Sequence, residues 1–61
     1  MKKRPWRVEQ YWHPERIATF AEKERAIQRA RDRATAHRQM YRIVGPLAET
    51  VIVYPDGRTQ P

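Results

Sequence analysis

The chain has 61 residues, with 13 Lys and Arg against 7 Asp and Glu, and its formal net charge is +6. This length predicts one small domain over residues 1–61, with too small a core to enclose a pocket, so neither an enzyme nor a small-molecule substrate is expected. The absence of cysteine excludes disulfides and thiolate metal sites. No apolar run is long enough to span a membrane, and no apolar signal-peptide core follows the basic start, so we expect a cytoplasmic protein.

Two short strands are predicted in the first third of the chain. The alternation over residues 6–12 places Trp6, Val8 and Trp12 on one face of a strand, which a His-Pro pair then ends. Residues 16–20 favour a second strand, because they are rich in β-branched and aromatic side chains. The short connection between the two strands predicts a hairpin.

A helix is predicted over residues 22–38, which contain no glycine or proline. Acidic residues lie in its first turn and basic residues in its last, as the helix dipole favours. One face carries small or apolar residues at helical spacing, Ala26, Ile27, Ala30 and Ala34, and His37 lies at the edge of this face. Because this face is mostly alanine, we expect the helix to lie close against a sheet.

The last third of the chain predicts two more strands, over residues 40–44 and 50–54, joined by a hairpin loop over 45–49. A Pro-Asp-Gly turn ends the second of these, and we expect residues 58–61 to be a loose tail. The predicted fold is α+β, with one helix across a four-stranded antiparallel sheet in the order ββαββ.

The predicted core is small, because many of the hydrophobic residues, which are 39% of the chain, are alanines. We expect the following residues to be mostly buried: Trp6, Val8, Phe20, Ile27, Ala30, Ala34, Ile43 and Val53. So little apolar burial predicts marginal stability for the isolated domain. A homodimer or a partner-covered surface is therefore a further expectation.

The helix also carries a row of basic residues, Arg25, Arg29 and Arg33, at i, i+4 and i+8. Like charges at this spacing destabilise a helix by a few tenths of a kcal/mol per pair. Asp32 is within reach of Arg29, but acidic neighbours are few. A flexible basic arm is expected over residues 1–5, with three charged members, Lys2, Lys3 and Arg4. These two groups predict an anion-binding surface; the alternative is a solvated face that only keeps the protein soluble.

The outer face of the predicted sheet is a second candidate surface. Tyr11, Arg42 and Tyr54 are expected there, and aromatic and basic residues mixed on an open sheet can stack on bases. The alternatives are that a small sheet simply exposes some apolar residues, or that it dimerises through them.

Neither a cofactor nor a metal site is predicted. His13 and His37 lack ligand spacing with a second histidine, so each is interpreted as structural. The chain has no glycine-rich phosphate loop and no serine nucleophile, since its two glycines are far apart and serine is absent.

The sequence resembles a family of short bacterial and phage proteins, a domain family of unknown function. The resemblance covers nearly the whole chain: a Trp-x-Val strand at residues 6–8, then Phe20, Lys23, Ala26, Ile27, Ala30, Arg31 and Ala34, then a strand pair and Asp56-Gly57-Arg58. It departs from the family in the loop over residues 45–48 and in ending just after that turn. The resemblance implies a fold and no activity.

The chain is also similar, more weakly, to the arm-type DNA-binding domains of integrases. These also run from a tryptophan strand into F-x-x-K-x-x-A, which matches Phe20, Lys23 and Ala26 here. Those domains place three strands before the helix, whereas two are predicted in this chain.

Two functional hypotheses follow. The first is a small accessory factor, of phage or bacterial type, that binds nucleic acid through the helix arginines and the basic arm. The second is a protein-interaction factor or inhibitor, of phage type, that occupies an acidic or nucleic-acid-handling surface of a host protein. Arginine suits both, because its planar guanidinium pairs bidentately with phosphate or carboxylate.

Overall fold

The structure is a computed structural model and describes residues 5–13 and 16–61. In chain order its elements are strand β1 (Trp6–Gln10), strand β2 (Arg16–Phe20), helix α1 (Lys23–His37), and strands β3 (Tyr41–Val44), β4 (Thr50–Val53) and β5 (Thr59–Gln60). The predicted α+β class is confirmed: within these residues the chain forms one helix and a five-stranded antiparallel sheet.

The sheet has the strand order β2-β1-β3-β4-β5, and every neighbouring pair is antiparallel. In the central strands Val8 lies opposite Ile43, which in turn lies opposite Val51. Directly opposed residues of an antiparallel pair share one face, so these three form an apolar row across the sheet. Helix α1 packs over this face and contacts strands β1 to β4. Among the described residues, no second layer covers the opposite face.

The core lies between the helix and the sheet. Of the eight predicted core residues, five are buried, and Trp6, Phe20 and Ile27 are partly buried against them. Ala26, Ala30 and Ala34 are the buried residues of the helix, which is the close alanine contact that the sequence predicts. Tyr41, which was not among the predicted core residues, is also fully buried.

The helix runs from Lys23 to His37, within a residue of the predicted limits at each end. Glu22 precedes it in an extended conformation without a side-chain cap, and Arg38 follows it in the left-handed conformation, with φ 53°. The N–H groups of Arg38 and Gln39 both donate to the carbonyl of Ala34, which closes the last turn.

The predicted count of four strands is wrong, because a fifth strand forms within the segment predicted as a loose tail. The turn after β4 reverses the chain: the Gly57 N–H donates to the Tyr54 carbonyl at 2.9 Å, and the Tyr54 N–H donates to the Arg58 carbonyl at 2.8 Å. Gly57 has a φ of 91°, which glycine adopts without a steric penalty. The turn thus lays Thr59 beside Val53 as the start of β5.

The predicted limits of the first strand also need correction. β1 ends at Gln10 rather than at residue 12, because Gln10 pairs with Tyr41, the first residue of β3. Beyond that pair the partner chain belongs to the connection from the helix, and only one bond continues, from the Tyr11 N–H to the Met40 carbonyl at 3.0 Å. Trp12 therefore does not join the core face, and it is 73% exposed.

Candidate functional site

Helix α1 positions the three predicted arginines as one stripe along its side; we call Arg25, Arg29 and Arg33 the arginine stripe. Residues four apart are offset by about 40° around a helix, so the stripe winds gradually toward the sheet. Arg25 and Arg29 are exposed, whereas Arg33 is half-buried. The arginine side chain is therefore less exposed at the end of the stripe, where the helix turns it toward the sheet.

No carboxylate of the described residues forms an ion pair with the arginine stripe. Within residues 5–13 and 16–61, the ion pairs closer than 4 Å involve only Glu9 and Asp56 as acids. Asp32, which the sequence places within reach of Arg29, instead accepts a hydrogen bond from Gln28 Nε2 at 2.9 Å. The stripe guanidiniums therefore have no ion-pair partner within 4 Å among the described residues, although the carboxylates of Glu24 and Asp32 line the same groove.

A shallow open groove of about 330 Å³ lies beside the stripe. Its lining combines one aromatic ring with polar and charged helix side chains: Phe20, Glu24, Arg25, Gln28, Arg29 and Asp32. Phe20 ends strand β2, packs against the core and contributes its ring to the lining of the groove. The groove thus combines two arginines with two carboxylates, those of Glu24 and Asp32, beside an aromatic ring.

Arg33 has a feature that its exposed neighbours lack. Its Nε atom is buried and has no hydrogen-bond acceptor among the described residues. A half-buried arginine packs its aliphatic stem against the protein, and this restricts the directions that its guanidinium can take. Less side-chain entropy is then lost when the head group binds an anion.

Two arginines of the outer sheet face, Arg7 and Arg42, have a protein partner. Arg42 donates to Glu9 Oε1 from Nη2 at 2.9 Å and from Nε at 3.3 Å, and Arg7 Nε lies 3.9 Å from Glu9 Oε2. Glu9 is only 7% exposed, and a carboxylate so far removed from water needs such charged partners. Arg42 therefore has an internal role on the sheet.

The two predicted tyrosines on this face are also engaged. The Tyr54 hydroxyl donates to Gln60 Oε1, and the Arg58 guanidinium lies 5.5 Å from the centre of the Tyr54 ring. Tyr11 meets Trp12 edge to face, with ring centres 4.9 Å apart and an interplanar angle of 82°. The outer face is thus a network of internal contacts rather than a bare stacking platform.

The turn before β5 holds the remaining ion pair. Arg58 Nε lies 2.7 Å from Asp56 Oδ2, and the Arg58 backbone N–H donates to Asp56 Oδ1 at 3.0 Å. The backbone hydrogen bond, aided by the Arg58 charge, lowers the pKa of the Asp56 carboxyl below its usual value. Arg58 is therefore a turn-stabilising arginine.

The structure brings together the three arginines of the stripe and separates them from the sheet candidates, Arg42, Tyr11 and Tyr54. The arm residues Lys2, Lys3 and Arg4 lie outside the described residues. Sequence reasoning missed Glu9 as the partner of Arg42, which is 33 positions away and carries no local pattern. It also missed the pairing of Gln28 with Asp32, which their i, i+4 spacing indicates.

Within the described part of the chain, no helix combines the length and the apolar character that crossing a membrane requires. Comparison with protein-family models, with curated proteins and with solved structures found no match.

Proposed function

We propose that the protein is a non-enzymatic module that binds nucleic acid through the arginine stripe. The observation that carries this proposal is the lack of any described carboxylate partner for Arg25, Arg29 and Arg33, while the nearby Asp32 pairs with Gln28. Three like charges in one row cost helix stability, and a phosphate backbone is a partner that offsets this cost.

The geometry of the stripe suits a chain of phosphates better than one isolated anion. Its members follow one another at steps of about 6 Å along the helix axis, so the stripe is a linear array about 12 Å long. Arg25 lies in the first turn of α1, where the helix dipole also favours negative charge. Guanidinium groups bind phosphate bidentately, which adds orientation to the charge attraction.

The second hypothesis, an acidic protein surface, would use the same arginines. It differs in its dependence on salt and in its binding to DNA of arbitrary sequence. A protein partner predicts negligible affinity for random DNA at physiological salt, whereas the nucleic-acid proposal predicts affinity that falls steeply and regularly as salt rises.

The test is a salt titration of binding to a labelled oligonucleotide of random sequence, measured by fluorescence anisotropy. The parent protein is compared with a stripe variant, Arg25→Gln, Arg29→Gln and Arg33→Gln together. The matched control is Arg31→Gln, Arg38→Gln and Arg58→Gln together, which removes the same charge from other positions. Circular dichroism verifies that each variant keeps its fold.

The stripe variant is expected to lose at least about 10-fold in affinity at low salt, and its plot of log K against log salt should be shallower by about 2–3 units. The control should keep most of the parent's affinity, because it loses only long-range attraction. Equal losses in the two variants would reduce the interaction to net charge and overturn the proposal. A parent protein that does not bind DNA at low salt would contradict it outright.

A further inference from the structure

A second feature lies near the end of helix α1, whereas the groove lies near its start. A slot of about 170 Å³ is lined by five residues from the end of β1 and from the connection after α1: Gln10, Trp12, His13, Gln39 and Met40. This volume is below the range of drug-sized pockets and suits one planar ring system. The slot is distinct from the arginine stripe and includes none of its residues.

Trp12 gives the slot an aromatic surface that the core does not need. Its indole is 73% exposed, although burying a tryptophan removes a large apolar area from water. The indole meets the Tyr11 ring edge to face, and the Tyr11 N–H donates to the Met40 carbonyl. The contact with Tyr11 leaves most of the indole surface open.

Besides Trp12 and the apolar Met40, the lining consists of polar side chains and carries no carboxylate. Gln10 and Gln39 contribute side-chain amides, each with both donors and acceptors, and neither forms a side-chain hydrogen bond with another described residue. An aromatic face flanked by amides matches a flat, uncharged heterocycle with polar edges. Unpaired nucleobases have this chemistry, because they stack on tryptophan and expose hydrogen-bonding edges.

The position of the slot relative to the stripe is consistent with one strand using both. Helix α1 has 15 residues and is about 22 Å long, with the groove near its start and Gln39 just after its end. The start of a helix favours phosphate, whereas its end repels it through the helix dipole. An uncharged base is accommodated at the end of α1 without that cost.

We infer that the Trp12 slot binds one unpaired nucleobase, so that the module favours single-stranded over double-stranded nucleic acid. This inference rests on the proposed function, since the arginine stripe would hold the phosphates of the same strand. In a duplex, base pairing occupies the hydrogen-bonding edges of each base, and stacking covers its faces. The slot would then meet only the sugar-phosphate backbone.

The experiment compares three ligands of equal length by fluorescence anisotropy at one low salt concentration: a single-stranded oligothymidylate, a duplex, and an abasic strand that keeps the phosphates and lacks the bases. The proteins are the parent, Trp12→Leu and Trp12→Phe. Leu47→Ala is the matched control, because Leu47 is 85% exposed and lies in the β3–β4 loop, outside the slot. Sedimentation of each protein without ligand reports self-association.

The parent should bind oligothymidylate about 5- to 100-fold more tightly than the abasic strand, which is the range of one base–aromatic stack. Trp12→Leu should bind the two strands equally, Trp12→Phe should regain part of the preference, and Leu47→Ala should behave as the parent. The abasic strand should bind the parent and Trp12→Leu alike.

Three results would overturn the inference while leaving the proposed function intact: equal binding of the abasic and normal strands by the parent, tighter binding of the duplex, or an unchanged preference in Trp12→Leu. A parent that dimerises through Trp12, shown by a monomeric Trp12→Leu, would assign the slot to a second copy and also overturn it. Failure of the parent to bind any of the three ligands would contradict the proposed function itself.

Discussion

The helix and the outer sheet face both carry arginines, but their surroundings differ. On the sheet, Arg42 and Arg7 converge on Glu9, and in the adjoining turn Arg58 pairs with Asp56. On the helix, the arginine stripe has no carboxylate partner among the described residues. The same residue type therefore forms ion pairs within the fold in one region and has no described ion-pair partner in the other.

This difference teaches that net charge alone does not locate a binding surface. The formal charge of +6 is a property of the whole chain, whereas the burial of Glu9 decides that Arg42 is engaged inside the protein. An anion-binding surface is instead identified by basic side chains that have no acidic partner and lie in a row. Variants in the two regions test this contrast, from the largest expected effect on stability to the smallest.

Glu9→Gln should produce the largest loss of stability, because it leaves the half-buried Arg42 without an ionised partner. We expect the free energy of unfolding to fall by about 1.5–3 kcal/mol, as for the loss of hydrogen bonds to a charged group. Chemical denaturation measures this change. The same substitution at exposed Glu24 is the control and should stay within about 0.5 kcal/mol of the parent. A stable Glu9→Gln variant would show that the sheet arginines do not depend on Glu9.

Arg38→Gly should stabilise the protein rather than destabilise it. Arg38 follows α1 in the left-handed conformation, which glycine adopts with less steric cost than arginine. We expect a gain of about 0.5–1 kcal/mol in the free energy of unfolding, read from the shift of the denaturation midpoint. DNA affinity should change little, since Arg38 lies outside the stripe. A large loss of affinity would add the Arg38 guanidinium to the binding surface.

The stripe variant, with Arg25, Arg29 and Arg33 replaced by glutamine, tests the helix side of the comparison. Because glutamine is nearly as good a helix former as arginine, removing three like charges should leave the stability unchanged or raise it by a few tenths of a kcal/mol. Thermal unfolding followed by circular dichroism reports the result. A clear loss of stability would mean that these arginines have structural partners after all.

Asp56 gives the smallest expected effect, because its ion pair with Arg58 is exposed to solvent. Since folding lowers the pKa of Asp56, its contribution to stability is present above the ordinary carboxyl pKa and is lost as the pH falls through the folded value. The difference in melting temperature between the parent and Asp56→Asn should therefore narrow as the solution is acidified below pH 3.8, the ordinary value. A difference that is constant with pH would contradict this role.

Local patterns predicted much of the fold. Alanine spacing predicted the helix, and alternation with turn residues predicted four of the strands. The fifth strand was missed because it has only two residues and depends on the Gly57 turn. The exposure of Trp12 was missed because strand β1 ends where its partner β3 begins, at Tyr41. Register between distant segments has no local pattern in the sequence.

The candidate site, like the fold, could be predicted only in part. The i, i+4 spacing of Arg25, Arg29 and Arg33 follows from the helix period, so their alignment could be predicted. The ion pair between Glu9 and Arg42 joins residues 33 positions apart, and only the pairing of β1 with β3 places them side by side. Whether an arginine is available to a ligand is thus decided by tertiary contacts.

Two-dimensional NMR of the arginine side chains during titration with single-stranded DNA tests the central claim most directly. The Nε–H resonances of Arg25, Arg29 and Arg33 should shift as DNA is added, while that of Arg42, which already donates to Glu9 Oε1, should stay in place. Shifts at Arg42 and in the backbone of the outer strands, with unchanged stripe resonances, would contradict the account and move the binding surface to the sheet.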